Sequence, residues 1–304
     1  MNAKLALRLV AASAVALVIA ACGGSSSGGG TAGKGTLTVA GFNFPESSIL
    51  AQIYGQALVH DGYTINYKLN LGTRKVVAPA LQSGQIDLYP GYAASELEYY
   101  NKSAGEATPD PVATTAKLNT YLASINAVAL TPSPAVDGNA YAVTQATATK
   151  YNLKTLSDLT PIAGQLVFGA GPECPTYKFC LPGLMSVYGL HFKQTLTLDT
   201  DGPATRAAFK NGSIQVGLVF SSDSDLKSLG LVVLEDDKHM IAADNVVAVV
   251  RTAVATAGVK TVLNKIDTGL TTNDLFTMNG QVELLHQDPD AVAAAFLQKH
   301  NYFS

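Results

Sequence analysis

The chain has 304 residues, 20 Lys and Arg against 23 Asp and Glu, and a net charge of −3. That balance gives no basic footprint for a nucleic acid, and five scattered histidines suggest no polymetal site. At about 150 residues per domain the length asks for two lobes, each large enough for a core of its own.

The first segment is an export address. Lys4 and Arg8 precede an apolar run from Leu9 to Ala20, which is short and Ala-rich for a spanning helix. The tetrapeptide Ile19-Ala20-Ala21-Cys22 resembles a bacterial lipobox, which implies removal of residues 1–21 and lipidation of Cys22; an ordinary secretory signal cut elsewhere is the alternative. Cleavage takes away Lys4 and Arg8 and no acid, leaving 18 basic against 23 acidic residues, a balance of −5. Residues 22–35 read as a Gly/Ser tether without side chains for a core. No later apolar segment supports a multi-span protein, so the folded part is expected at the extracytoplasmic face of the membrane, lipid-anchored. Cys174 and Cys180 then remain, and in an oxidising compartment the five-residue loop between them is most simply closed as a disulfide. A redox or metal role would want a CxxC pair or a nearby histidine.

Thr36 to Gly41 reads as a short apolar strand, and Pro45 with Glu46 and Ser47 starts a helix whose stripe is Ile49, Ile53, Ala57 and Leu58, ended by Gly62. Tyr63 to Leu71 alternates as a strand, Val76 to Leu81 is helical, and Ile86 to Tyr89 is a third strand. This β-α-β-α-β order predicts a mostly parallel sheet covered by helices. After a helix around Ala116 to Ile125 the pattern restarts: strands at Ala140–Thr144, Gln165–Gly169, His191–Leu198, Ile214–Phe220, Leu231–Leu234 and Asn245–Arg251, with helices at Leu184–Tyr188 and Ala204–Lys210. The tail from Val259 to Phe296 is helical, with start signals at Thr271 to Asp274 and at Asp288-Pro289-Asp290. The expected organisation is an α/β protein with lobe 1 over 36–140 plus 245–304, lobe 2 over 141–244, and crossing strands between them; the cleft between lobes is the default ligand site.

Several segments together resemble one family. Asn43-Phe44-Pro45-Glu46-Ser47, Asn70-Leu71-Gly72-Thr73 and Gly84 to Tyr92 (GQIDLYPGY) are similar to the NFTE, LG(S/T) and sGeiDlYPeYtGT segments of ProX/OpuC-like osmoprotectant-binding proteins, which serve ABC importers for glycine betaine, choline and carnitine. Leu181 to Leu190, Gly202 to Gly212, Val219 to Asp223 and Leu234 to His239 resemble the same family's second lobe, so the likeness runs collinearly from about Thr36 to the C-terminus. It implies a two-lobed periplasmic-binding-protein fold of type II, a monomer, no cofactor, no catalysis, a small-molecule solute as ligand, and permease and ATPase subunits of an importer as partners.

A trimethylammonium head has no N–H to donate, so its recognition falls to aromatic faces within about 6 Å, each contributing roughly 0.5–2 kcal/mol. With 13 Tyr, 10 Phe and no Trp, any such cage must be built from Tyr and Phe. The resemblance implies Tyr92 and Ser95 from the first lobe, Tyr141 and Phe220 from the second, and Ser47 and Thr73 at polar edges. Two positions depart from the family. Phe42 stands where a Lys is usual and Tyr177 where an Arg is common, so the pair that would hold a betaine carboxylate is missing; Lys178 or Arg206 is the replacement to consider. Burying a carboxylate without a partner costs several kcal/mol, about the scale of the whole binding energy at stake, so the expectation is an aromatic-walled, mostly neutral pocket for choline or for a larger hydroxylated or aromatic solute.

Enzyme signatures fail on context. Gly24 to Gly28 matches GxSxG but lies in the tether, with neither the strand nor the helix of a nucleophile elbow. Glu235-Asp236-Asp237 with His239 could be drawn as a metal cluster but reads as an acidic turn before a strand, and Phe168 to Pro172 lacks the GK(S/T) ending of a phosphate loop.

Overall fold

The computed structural model describes residues 33–199 and 201–302; Cys22 and the export signal lie outside the described residues. The chain runs β1 (Thr36–Ala40), α1 (Pro45–His60), β2 (Thr64–Lys68), α2 (Arg74–Gln82), β3 (Leu88–Tyr92), α3 (Ala93–Tyr100), α4 (Pro111–Leu122) and β4 (Ala127–Ala129). It continues through β5 (Asn139–Thr144), α5 (Gln145–Tyr151), β6 (Val167–Ala170), α6 (Leu181–Tyr188), β7 (Gln194–Thr197), α7 (Pro203–Lys210), β8 (Val216–Phe220) and β9 (Leu231–Leu234). It ends with β10 (Val246–Arg251), α8 (Ala257–Gly269), α9 (Thr272–Glu283) and α10 (Pro289–Lys299).

The strands form two five-stranded sheets, β2-β1-β3-β10-β4 and β7-β6-β8-β5-β9. In the first, β1 pairs parallel with β2 and β3, while β10 lies antiparallel to both β3 and β4. The second repeats the scheme, with β6 parallel to β7 and β8, and β5 antiparallel to β8 and β9. Four strands of each sheet therefore run one way and one opposes them, as the β-α-β-α-β reading leads one to expect for the first three. The opposed strand of each sheet is the one that follows a crossing between sheets: β5 after residues 130–138, β10 after residues 235–245. The two crossings are zipped together where Val136 bridges Asn245, Asp137 N–H donates to Asp244 O at 3.2 Å, and Val246 N–H donates to Ala135 O at 3.0 Å.

Burial explains the elements. On α1, Pro45 occupies the first turn, and Ile49, Ile53 and Leu58 are fully buried against Val39 and Leu88 of the sheet. The C-terminal helices return to this same core: Leu263 and Ile266 of α8, Leu275 of α9 and Phe296 of α10 all belong to it. Tyr54 on α1 donates to Asp267 on α8 at 2.6 Å. The second sheet is covered by two smaller clusters, one around Phe168, Tyr141 and Leu184, the other around Phe209, Ile214 and Val219. Cys174 and Cys180 close their loop as a disulfide, with Cα atoms 5.2 Å apart.

Four short elements differ from the sequence reading, among them β4, a three-residue strand that the apolar pattern does not announce. The third strand starts two residues later than Ile86; there the Asp87 side chain takes the place of a backbone acceptor, receiving Thr38 N–H (2.8 Å) and pairing with Arg251 (2.8 Å), while its own N–H and C=O still bond to Thr38 and Arg251. α3 follows β3 directly, with no turn residue to announce it, and the polar α5 begins on the Thr144 side chain accepting from Thr147 N–H. The helical tail is three helices; the expected start at Thr271 is a capping box, with Thr271 and Asp274 each receiving the other's backbone N–H.

Candidate functional site

The carboxyl ends of the parallel strands of both sheets converge on one cleft, where open α/β sheets place their ligands. Its volume is about 340 Å³. The loop after β1 contributes Phe42 and Phe44, the loop after β2 Thr73 and Arg74, the end of β3 Tyr92, and α3 Ser95. From the other side come Tyr177 and Phe179 on the disulfide loop and Phe220 at the end of β8, and the two crossings supply Asp137 and Asp244.

The rings hold one another in place. Phe42 and Phe44 stack at 5.8 Å with planes 13° apart, Phe44 lies 6.1 Å from Tyr92, and Tyr177 meets Phe179 edge-on at 5.6 Å. Tyr92 is anchored by its hydroxyl, which donates to Glu46 Oε1 at 2.7 Å, leaving the ring as the part presented to the cleft. Gly72, at φ +140°, makes the bend that delivers Thr73 and Arg74 to the first turn of α2.

Of the residues expected at the site, Phe42, Thr73, Tyr92, Ser95, Tyr177 and Phe220 line the cleft, and Ser47, Tyr141 and Arg206 do not. Ser47 is fully buried, its Oγ accepting from Phe42 N–H at 2.8 Å, so it shapes the β1–α1 loop from behind. Tyr141 is a correction of a physical kind. It sits in mid-strand on β5, 1 % exposed, tilted against Phe168 and donating to Phe179 O at 2.8 Å, which makes it core. Arg206 belongs to an adjoining cavity, paired with Asp223 at 2.9 Å and Asp225 at 3.5 Å. Lys178 is likewise engaged elsewhere, donating to Gly105 O at 2.8 Å.

The expectation of a mostly neutral pocket also requires correction. Arg74 lines the cleft, its Nε donating to the fully buried Glu96 at 2.7 Å and its Cζ 5.2 Å from the centre of the Phe42 ring. Glu96 is itself fixed by Tyr89, whose hydroxyl donates to it at 2.9 Å. Among the described residues Arg74 makes this one hydrogen bond, so a planar five-donor group keeps most of its donors for the cleft. As the first residue of α2, Arg74 reads in sequence as an ordinary helix start, which is why it escaped notice.

Two carboxylates oppose it. Asp244 accepts from both Ser95 N–H (2.8 Å) and Ser95 Oγ (2.6 Å), and Asp137 accepts from Ser222 Oγ at 2.7 Å. Burial pushes both up from the ordinary Asp range; for Asp137 the Glu46 carboxylate adds to the effect. Burial therefore holds both acids toward their protonated forms, and a cation beside them would favour the carboxylates. No group of three or more metal-ligating side chains occurs among the described residues, and no described helix is long and apolar enough to cross a membrane.

Comparison with known proteins agrees with this architecture. The family described as the substrate binding domain of ABC-type glycine betaine transport systems matches residues 35–299. A glycine-betaine-binding protein of Pseudomonas aeruginosa is 29 % identical over 277 residues, covering 88 % of each chain. The carnitine transport binding protein OpuCC of Listeria monocytogenes is 26 % identical, covering 89 % of this chain and 88 % of its own. Among solved structures, that of a glycine betaine/carnitine/choline ABC transporter protein superposes with a TM-score of 0.76 at 23 % identity, over 88 % of this chain and 100 % of the other, and shares its fold.

Proposed function

This chain belongs to the family of substrate-binding domains of ABC-type glycine betaine transport systems, and from that premise we propose that it captures a zwitterionic quaternary-ammonium solute, such as glycine betaine or carnitine. The observation that carries this reading is the pairing, in one ring-walled cleft, of the Arg74 guanidinium with the Asp137 and Asp244 carboxylates. A trimethylammonium group suits the Phe and Tyr faces backed by the two acids; a carboxylate suits the free donors of Arg74 beside Thr73. The solute is then handed to the permease and ATPase subunits of an importer, with the receptor a monomer tethered through a lipid on Cys22. No step of this needs a cofactor or a covalent change in the solute.

Calorimetry with glycine betaine, carnitine, choline and a neutral aromatic solute tests the ligand class. The two carboxylated ammonium compounds should bind more tightly than choline, and the neutral solute should not bind. Failure of every quaternary ammonium compound would overturn the reading. In an Arg74→Gln/Glu96→Gln variant, which removes the charge pair together, the preference for betaine over choline should fall about tenfold, the ~1.4 kcal/mol expected of one charge-assisted contact. Scattering should show compaction when ligand is added, because only closure brings both walls onto it. For the anchor, Cys22→Ala should move the protein from the detergent phase to the aqueous phase.

A further inference from the structure

Behind the partition formed by Phe44, Asp137 and Phe220 lies a second cavity of about 390 Å³. It shares those three side chains with the aromatic cleft, so the two spaces adjoin. Its remaining lining is dominated by carboxyl groups: Glu46 from the start of α1, Asp201 and Asp223 from the second lobe, and Glu283 from the end of α9. Arg206 is the cation there, and it is already shared between Asp223 and Asp225.

Asn279 of α9, 4 % exposed, points to what the cavity takes. Its Nδ2 donates to Glu46 Oε2 at 2.6 Å and to Ser222 O at 3.2 Å. Two acceptors on that side fix the orientation of the amide, and its Oδ1 is left buried with no hydrogen-bond partner among the described residues. A buried carbonyl oxygen without a donor costs desolvation free energy that a ligand N–H recovers. Burial, with Asp223 beside it, pushes Asp201 up to about 7, and burial likewise raises Glu46, so a cation beside these acids would favour their charged forms.

Resting on the reading of the aromatic cleft as a quaternary-ammonium site, we propose that this second cavity is a subsite for a protonated amine at the far end of an extended solute, with Asn279 Oδ1 and the Asp201 and Glu283 carboxylates as its acceptors. The receptor would then prefer a betaine with an N–H-bearing cationic tail over a bare one.

Four probes test it: glycine betaine, choline, and the α-trimethyl betaines of lysine and leucine, whose tails differ in carrying or lacking an ammonium group. Each is titrated by calorimetry into the intact domain and into an Asp201→Asn/Glu283→Gln variant. The lysine betaine should bind at least tenfold more tightly than the leucine betaine, and that ratio should fall toward one in the variant while glycine betaine affinity stays unchanged. Equal affinities for the two tailed betaines, alongside measurable glycine betaine binding, would overturn the subsite and leave the cleft reading standing. A preference for lysine betaine that survives in the variant would also overturn it. Absence of binding by all four would overturn both readings.

Discussion

The two sheets share one strand order but are stabilised differently. The first rests on one large core, closed by α1 together with helices returned from the far end of the chain, which pack against it. The second divides its apolar residues between two smaller clusters and adds a disulfide where the loop before α6 reaches the cleft. The lobe that receives the C-terminal helices buries an ion pair at Arg74–Glu96 and a carboxyl group at Asp267. The lobe without them also buries a charged pair, Arg206–Asp223, but adds ring packing and a covalent staple to its smaller clusters.

The sharpest way to break this contrast is to open the smaller core. Phe168 is fully buried, stacked on Phe192 at 4.8 Å, so Phe168→Ala should cost ~3–5 kcal/mol in denaturant unfolding. Amide protection should be lost in β6 and β8 before β1 and β3.

A smaller effect, in the first lobe, comes from pH. Burial pushes Asp267 up to about 8, so the folded protein holds a proton that the unfolded chain releases near pH 4. The resulting stability is complete below the unfolded value and is lost as pH rises through the folded one. Between pH 6 and 8 this amounts to on the order of 2 kcal/mol at 1.36 kcal/mol per unit. Thermal unfolding across that range should show a falling midpoint, with a shallower fall in Asp267→Asn.

Removing the staple should be comparable or milder. For so short a loop, Cys174→Ala/Cys180→Ala should cost about 2 kcal/mol of stability. Ligand affinity should fall too, since Tyr177 and Phe179 ride on that loop. Calorimetry on the variant checks both together with the melt.

The smallest change is the loss of a single ring. Tyr177→Ala should weaken binding by roughly 1 kcal/mol with little effect on the melting midpoint, because the ring is only half-buried. Unchanged affinity would move the ligand toward the first lobe's rings.

Much of this arrangement is legible in the chain. The alternation of strands and helices is written in apolar periodicity and in Pro and Gly positions, whereas the rings are placed by the family resemblance alone. Tyr92 and Tyr141 show where that legibility stops. Both lie in apolar strand segments, but Tyr92 is the last residue of β3 and opens into the cleft, while Tyr141 lies inside β5 with partners on both sides. Strand ends are the least certain part of a sequence reading, and here two residues of position along β5 separate wall from core. Arg74, Asp137 and Asp244 went unread for another reason: their meaning comes from the convergence of three separate loops, which no local pattern encodes.

The zipped pair of crossings gives the charges a mechanical position. If the lobes swing together, they turn about the segment where Val136 meets Asn245, and Asp137 and Asp244 sit at that fulcrum. Points on an axis travel least, so these two carboxylates present nearly the same face to an incoming cation whether the jaws are wide or shut. The rings, mounted farther out on the lobes, sweep the larger arc. The carboxyl groups would thus keep one orientation through closure while the aromatic surface moves onto the solute, making the rate of escape the quantity most sensitive to the rings.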